Sequence, residues 1–348
     1  MRIAVFLPNW IGDVVMATPA IAALHARYPH SKMVAIGKPY VEAVTADSPW
    51  FENFWPLERT IRSGLAVARQ LRSYEADAAV LFPNSFRVAA VARAGRCKLR
   101  IGFVRYARGF LLTNRFYPVQ DEKGNFVPRP ILRDYNRIVQ VLGAEPTDRM
   151  ELFTSDSQDA QATGVLNQLG IQHDEEVIGL NPGAAFGASK FWPTAYFAEL
   201  ARKFVDSRNA KVVVMCGPNE KDISREIAAQ SGRSTVKSLA DFPLSIGFSK
   251  AIVKKLDLLV TTDSGPRHFA AAFNRPVVTL FGPTHIEWTE TFYDKAIHLQ
   301  KKVPCGPCQL RVCPTDHRCM KELSVAEVFE ASCKLLPRID RGGLRHAG

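Results

Sequence analysis

The chain has 348 residues, long for a single hydrophobic core and suited to two domains, and its 47% apolar and 23% charged content is that of a globular enzyme, not of a fibrous or disordered protein. No apolar run approaches the roughly 20 residues that a membrane-spanning helix needs. A net charge of +11 points to an anionic partner, either an anionic lipid surface or a phosphorylated substrate, although a solvated basic surface accounts for it equally simply. The basic residues are scattered, with local clusters at 93–108 and 338–345. They do not alternate with aromatic residues as a base-stacking surface requires, so nucleic acid is not an expected partner.

From the N-terminus, residues 3–7 read as an apolar strand. A leader peptide is not expected, because Pro8-Asn9-Trp10 interrupts the apolar run early and a Gly12-Asp13 turn follows, so the protein is expected in the cytoplasm. A helix is expected over 14–28, with Ala17, Ile21 and Leu24 at helical spacing. Strands follow at 33–36 and 78–82, the latter closed by Pro83-Asn84-Ser85 and a helix through Ala94. Residues 99–103 form a further short strand, 105–129 look loop-rich, and 132–142 look helical.

The second half repeats this grammar. Strand 177–180 ends in Asn181-Pro182-Gly183-Ala184, and Trp192-Pro193 opens a helix through Val205. Strand 211–215 ends in Cys216-Gly217-Pro218, and strand 256–260 ends in Thr261-Thr262-Asp263-Ser264-Gly265. A helix over 266–273 and a strand over 276–281 follow. Strands alternating with helices imply parallel sheets, and two such series imply an α/β chain of two doubly wound, Rossmann-like domains. The expected limits are 1–165, 166–337 and a basic tail, 338–348. Ligands of such sheets lie outside the carboxyl ends of the strands, where every turn named above falls, so two facing domains would align these turns along one central cleft.

Three turns and one carboxylate carry the chemistry. The turn from Thr261 to His268 runs from a strand end into a helix start, where first-turn N–H groups lack internal partners and favour a phosphate. Gly265 lets the backbone approach and Ser264 adds a hydroxyl donor. Helix capping by Asp263 or Ser264 explains either residue alone, but not Asp, Ser, Gly and His gathered in one turn. The loop 181–193 is rich in small residues and carries one cation, Lys190. It is not a P-loop, yet backbone donors around Gly183 and a point charge suit a diphosphate, whereas a lone lysine elsewhere would read as solvated. In Asn9-Trp10-Ile11-Gly12-Asp13, the aspartate reads either as a helix cap, the favoured reading for the residue alone, or as a base accepting a hydroxyl proton. Glu220, just past a strand end, is balanced between accepting ribose hydroxyls and complementing a helix start. No G-x-G-x-x-G is present, which counts against a nicotinamide enzyme, and no D-x-D-type pair follows a strand, which favours neutralising phosphate without a metal.

Taken together, Trp10-Ile11-Gly12-Asp13, Pro182-Gly183-Ala184 with Lys190 and Trp192-Pro193, Asp263-Ser264-Gly265 with His268, and Phe281-Gly282-Pro283-Thr284 resemble the family 9 glycosyltransferases, the ADP-heptose:lipopolysaccharide heptosyltransferases. The likeness covers essentially the whole chain. Residues 81–86 and the spacing from Pro182 to Lys190 are similar to the heptosyltransferase II branch, which adds the second heptose of the inner core. The resemblance implies a GT-B fold and an inverting transfer that needs no metal or other cofactor. It makes ADP-heptose the donor and an anionic, lipid-linked core oligosaccharide the acceptor, met at the inner face of the inner membrane. Carried over, Asp13 is the general base and Lys190 stabilises the leaving diphosphate. Gly183 and Asp263 lie at the donor, Ser264, Gly265 and His268 at its phosphates or nucleotide, Glu220 at its ribose, and Asn84 and Arg87 on the acceptor side. Two departures touch donor or acceptor subclass. Pro266-Arg267 stands where the family has two apolar residues, and Ala185 stands where the second-heptose branch often has Glu. The alternatives are a heptosyltransferase acting directly on Kdo, or a nucleotide-sugar epimerase on the same fold.

Of seven cysteines, Cys97, Cys216 and Cys333 stand alone, while Cys305, Cys308, Cys313 and Cys319 cluster with His317 nearby. The cluster's spacing suits zinc, disulfides or free thiols. A thioredoxin-type pair is disfavoured by the Pro-rich surroundings, and a structural role in the loop is the favoured reading.

Overall fold

A computed structural model describes residues 1–337, and the expected basic tail, 338–348, lies outside the described residues. Contacts divide the chain into two compact units, Met1–Ser155 with His285–Tyr293, and Asp156–Thr284 with the described residues from Asp294 onward. The division falls before the helix Asp156–Gln168, not near its end at the expected 165. That helix buries Ala162, Val165 and Leu166 and packs on helix Ile246–Lys254, which ties it to the second unit. The excursion His285–Tyr293 joins the first unit, where the Arg133 guanidinium lies 3.7 Å over the Phe292 ring.

The first unit holds a six-stranded parallel sheet. Its strands are β1 (Arg2–Phe6), β2 (Lys32–Gly37), β3 (Asn53–Pro56), β4 (Ala78–Leu81), β5 (Leu99–Phe103) and β6 (Asn114–Phe116), in the order β3-β2-β1-β4-β5-β6. The second unit holds β7 (Val177–Asn181), β8 (Lys211–Val214), β9 (Val236–Ser238), β10 (Leu258–Thr262), β11 (Val277–Phe281) and β12 (Ala296–Gln300), in the order β12-β11-β10-β7-β8-β9, again all parallel. Each is the doubly wound order, and each reverses direction between its first and fourth strands, β1/β4 and β7/β10. The central strands are predominantly apolar because helices cover both faces: β4, β7, β10 and β11 are buried throughout.

Local chemistry sets the helix starts. Thr60, Ser85 and Ser245 accept a bond from the backbone N–H three residues on, and Ser324 with Glu327 forms a capping box. The single helix expected over 14–28 is two, Ile11–Met16 and Thr18–Arg27. Pro19 has no N–H for the carbonyl of Val15, and the Thr18 hydroxyl donates to that oxygen instead, at 2.7 Å. Among the described residues no helix is long and apolar enough to cross a membrane.

Candidate active site

In the second unit, β7 and β10 are hydrogen-bonded neighbours with Asn181 opposite Thr261, so the two turns singled out above leave the sheet side by side at its switch point. Side chains stitch them together. The Asn181 amide donates to Thr261 Oγ1 and to Ser264 Oγ, both at 3.0 Å, and Thr262 Oγ1 donates to the Gly183 carbonyl at 2.6 Å. Ser264 is the residue before helix Gly265–Ala272, but its hydroxyl makes no capping bond. It serves this network instead, so the residue at the helix start leaves that start without a side-chain cap of its own. A helix start left uncapped beside a small-residue loop is the arrangement that favours an anion.

Lys190 is buried at the end of the short 3-10 turn Ala188–Lys190. Its Nζ donates to the Asp263 carboxylate at 2.5 Å and to the Asp263 carbonyl at 2.8 Å, and it lies 4.8 Å from the Phe186 ring centre. Asp263 also accepts from Thr284 Oγ1 at 2.8 Å and faces Arg267 Nη1 at 3.5 Å. Burial alone would push this carboxyl up, but Lys190 and Arg267 outweigh it, and Asp263 stays below the usual carboxylate range, ionised. Burial, reinforced by Arg267, pushes His268 well below the ordinary imidazole range, so its ring is neutral. Arg267 does not point to solvent. It is 3% exposed, donates to His298 Nε2 at 3.0 Å and stacks 5.0 Å from the Phe281 ring. Lys190, Arg267 and Asp263 thus carry two buried positive charges against one negative.

Glu220 directly precedes helix Lys221–Ser231 and does not cap it. Its carboxylate accepts from the Gly217 N–H at 2.9 Å and packs so tightly on Gly183 that a Cβ there would lie 2.0 Å from its Oε2. A side chain at position 183 would displace this carboxylate, a pairing that sequence spacing does not reveal.

In the first unit, Trp10 and not Asp13 occupies the cap of helix Ile11–Met16, and Asp13 sits in the helix's first turn just beyond the end of β1. Asp13 is half-buried. The hydroxyl of Tyr135 is raised by burial first and then by the Asp13 and Asp134 charges. Across the same switch point, the turn after β4 is held by an arginine of the basic cluster 93–108. Arg108 is fully buried and donates to the carbonyls of Phe103, Pro83 and Ser85 and, at 3.1 Å, to Asn84 Oδ1. Burial lowers its guanidinium to a pKa of about 10. Asn84 is thereby fixed in place, and Arg87 donates to the Thr60 carbonyl at 2.8 Å.

All described cysteines are free thiols. Cys305, Cys308, Cys313 and Cys319 line one cavity of about 170 Å³ together with His317, and among the described residues no three metal-ligating side chains stand close enough to hold an ion.

The profile of glycosyltransferase family 9 (heptosyltransferase) matches residues 65–318. The lipooligosaccharide heptosyltransferase 2 of Campylobacter jejuni is 26% identical over 96% of this chain and 99% of its own. The lipopolysaccharide heptosyltransferase 2 of Escherichia coli is 27% identical over 85% of this chain and 87% of its own. The solved structure of E. coli ADP-heptose lipopolysaccharide heptosyltransferase II superposes with a TM-score of 0.77 at 25% identity, covering 96% of this chain and 98% of that one. With a two-sheet architecture shared with GT-B structures and a family match across most of its length, this chain belongs to glycosyltransferase family 9 and is a glycosyltransferase.

Proposed function

We propose that this glycosyltransferase moves heptose from ADP-L-glycero-D-manno-heptose to the heptose of the lipopolysaccharide inner core, with inversion and without a metal. The observation that carries the reading is the buried Lys190–Asp263–Arg267 group set beside an uncapped helix start at the β7/β10 switch point, a positive site waiting for a diphosphate. The heptosyl donor and core acceptor are supported by the relatives named above.

In this reading the second unit takes the donor. Lys190 meets the charge that develops on the leaving diphosphate, and the backbone at Gly183, Ser264 and Gly265 supplies N–H donors. Neutral His268 adds a hydrogen bond, Asp263 meets the sugar, and Glu220 turns from Gly217 to the ribose. The first unit takes the acceptor beside Asn84 and Arg87. Asp13 accepts the proton of the acceptor hydroxyl as its oxygen bonds to the anomeric carbon. The bond from that carbon to the phosphate oxygen breaks, and ADP leaves with the electron pair. A single displacement inverts the anomeric centre. Cationic side chains and a helix start do the neutralising that other transferases leave to a divalent ion. The enzyme works in the cytoplasm, drawn by its +11 charge to the anionic inner face of the inner membrane.

A panel of nucleotide sugars, each offered with Kdo-lipid acceptors carrying or lacking the first heptose, tests this. Transfer is expected from ADP-heptose alone and only to the heptose-bearing acceptor. Transfer directly onto Kdo, or from another nucleotide sugar, would reject the assigned specificity.

A further inference from the structure

The catalytic reading leaves the cysteine-rich segment unused, yet the turn bearing Lys190 stands on it. Ser189, the residue before Lys190, commits every polar group it has to that segment. Its N–H donates to the Arg311 carbonyl at 3.1 Å, its hydroxyl donates to the Leu310 carbonyl at 2.6 Å, and its own carbonyl lies 2.6 Å from His317 Nε2. A carbonyl only accepts, so Nε2 of His317 carries the proton. Gly187 has φ +155 and lies so close to the segment that a Cβ would come within 2.3 Å of the Arg311 carbonyl oxygen. Lys190 and Arg311 also share the Phe186 ring, at 4.8 and 5.6 Å. The segment is in turn tied to the sheet by the Gln309 N–H, which donates to the Pro283 carbonyl at 2.8 Å.

Beneath this contact lies the cavity of about 170 Å³, whose wall includes Ser189, His317 and all four clustered cysteines. Cys305 is exposed and Cys308 and Cys313 are half-exposed, so the cavity can be reached from solvent. Cys313 accepts support from the Thr315 hydroxyl at 3.5 Å, which holds its thiol below the usual range, whereas burial pushes Cys319 up to about 11. The cluster therefore contains a reactive member next to an inert one.

We propose that segment 305–319 sets the position of Lys190, with His317 as the positioning residue, and that its thiols form a modification site whose occupation by a small thiol-directed group weakens diphosphate binding. The inference rests on the reading of Lys190 as a diphosphate ligand. Ser189 has no polar group left with which to adapt when the segment shifts, so a displacement of its carbonyl passes through the shared peptide bond to the Lys190 backbone, from which Nζ reaches Asp263 at 2.5 Å.

Two arms test it on the full-length protein, both read as affinity for ADP, AMP and inorganic pyrophosphate by calorimetry. In the first, methyl methanethiosulfonate labels the cysteines. A thiolate attacks the reagent's thio sulfur, a disulfide to the methylthio group forms, methanesulfinate leaves with the electron pair, and the thiol proton goes to solvent. Peptide mass mapping is expected to place labels within 305–319, with ADP binding at least about tenfold weaker, the loss of one hydrogen bond to a charged group. Dithiothreitol should restore it. In the second arm, His317→Ala is expected to weaken ADP and pyrophosphate about tenfold and AMP little, while His317→Gln, which keeps a donor at similar reach, stays near wild type. A merely structural histidine would lower thermal stability without separating ADP from AMP. Unchanged ADP affinity after confirmed labelling, failure to label the cluster, or equal ADP affinity in His317→Ala would each overturn the proposal. Failure of the wild-type protein itself to bind ADP would instead reject the donor reading on which it stands.

Discussion

Asp263→Asn is the substitution whose outcome follows most directly from the geometry. Asparagine keeps the shape and an acceptor for Thr284, but it removes the carboxylate that Lys190 approaches at 2.5 Å and Arg267 at 3.5 Å. Both cations are more than nine-tenths buried, so neither gains hydration in exchange. Breaking a buried ion pair by deleting one partner costs about 3–5 kcal/mol. Lys190 keeps the Asp263 backbone carbonyl at 2.8 Å and the face of Phe186, which places the loss near the low end, about 3 kcal/mol. For a domain of this size each kcal/mol lowers Tm by roughly 2–4 °C, so the second unit's transition should fall by roughly 6–12 °C in a calorimetric scan at pH 7. The pH dependence supplies a second check. Pairing holds the Asp263 carboxyl below its unfolded range, so its contribution is complete above that range and is lost as pH falls through the folded value. The gap between wild type and variant should therefore stay constant from neutral pH down to the ordinary carboxylate range and narrow only below it. A variant as stable as wild type at pH 7, or a gap that closes between pH 6 and 7, would refute the buried-pair account.

Three further substitutions separate the roles. Asp13→Asn should lower kcat by about 10²–10⁴-fold, the usual worth of a positioned base, with ADP affinity almost unchanged in calorimetry; retained turnover would remove Asp13 from the base role. Lys190→Ala should weaken ADP by roughly 10–100-fold and slow transfer as well, as loss of a charged hydrogen bond predicts, so a variant with normal ADP affinity would contradict its assignment. Gly183→Ala drives a methyl group into the Glu220 carboxylate, which must swing away. Denaturant unfolding should show a loss of about 1–3 kcal/mol from overpacking, accompanied by a higher KM for the donor, and a silent Gly183→Ala would show that the close contact is dispensable.

Much of this molecule was legible in its sequence because fully buried parallel strands read as uninterrupted apolar runs and end in conspicuous turns. That logic located β1, β2, β4, β5, β7, β8, β10 and β11 and the turns at Asp13, Gly183 and Asp263. It missed the outer strands β3, β6, β9 and β12, which are half-exposed and mixed in composition and so leave no run to detect. The alternation of strand and helix also gave two units but not the excursion His285–Tyr293 between them, because such a crossing depends on tertiary contacts alone. At the site, residue types were readable but partnerships were not. Lys190 and Asp263 are separated by 73 positions, and nothing local announces that they pair. Arg267 and Arg108 carry the most solvent-seeking of side chains, yet both are buried, each satisfied by one nearby acceptor and by others distant in sequence: Asp263 and the distant His298 in one case, Phe103 and the distant Pro83–Ser85 turn in the other. The cysteine spacing left zinc, disulfides and free thiols open, and the structure shows free thiols lining a cavity under the Lys190 turn.

The central claim, that this glycosyltransferase passes heptose from ADP-heptose to a heptose-bearing core, is tested most directly by following ADP release and acceptor mass together in one reaction of the purified protein. The account predicts one ADP released for each heptosyl unit gained by the acceptor, and no ADP release when the acceptor is omitted. ADP-heptose left intact in the presence of the heptose-bearing acceptor, or consumed at the same rate without it, would contradict the account.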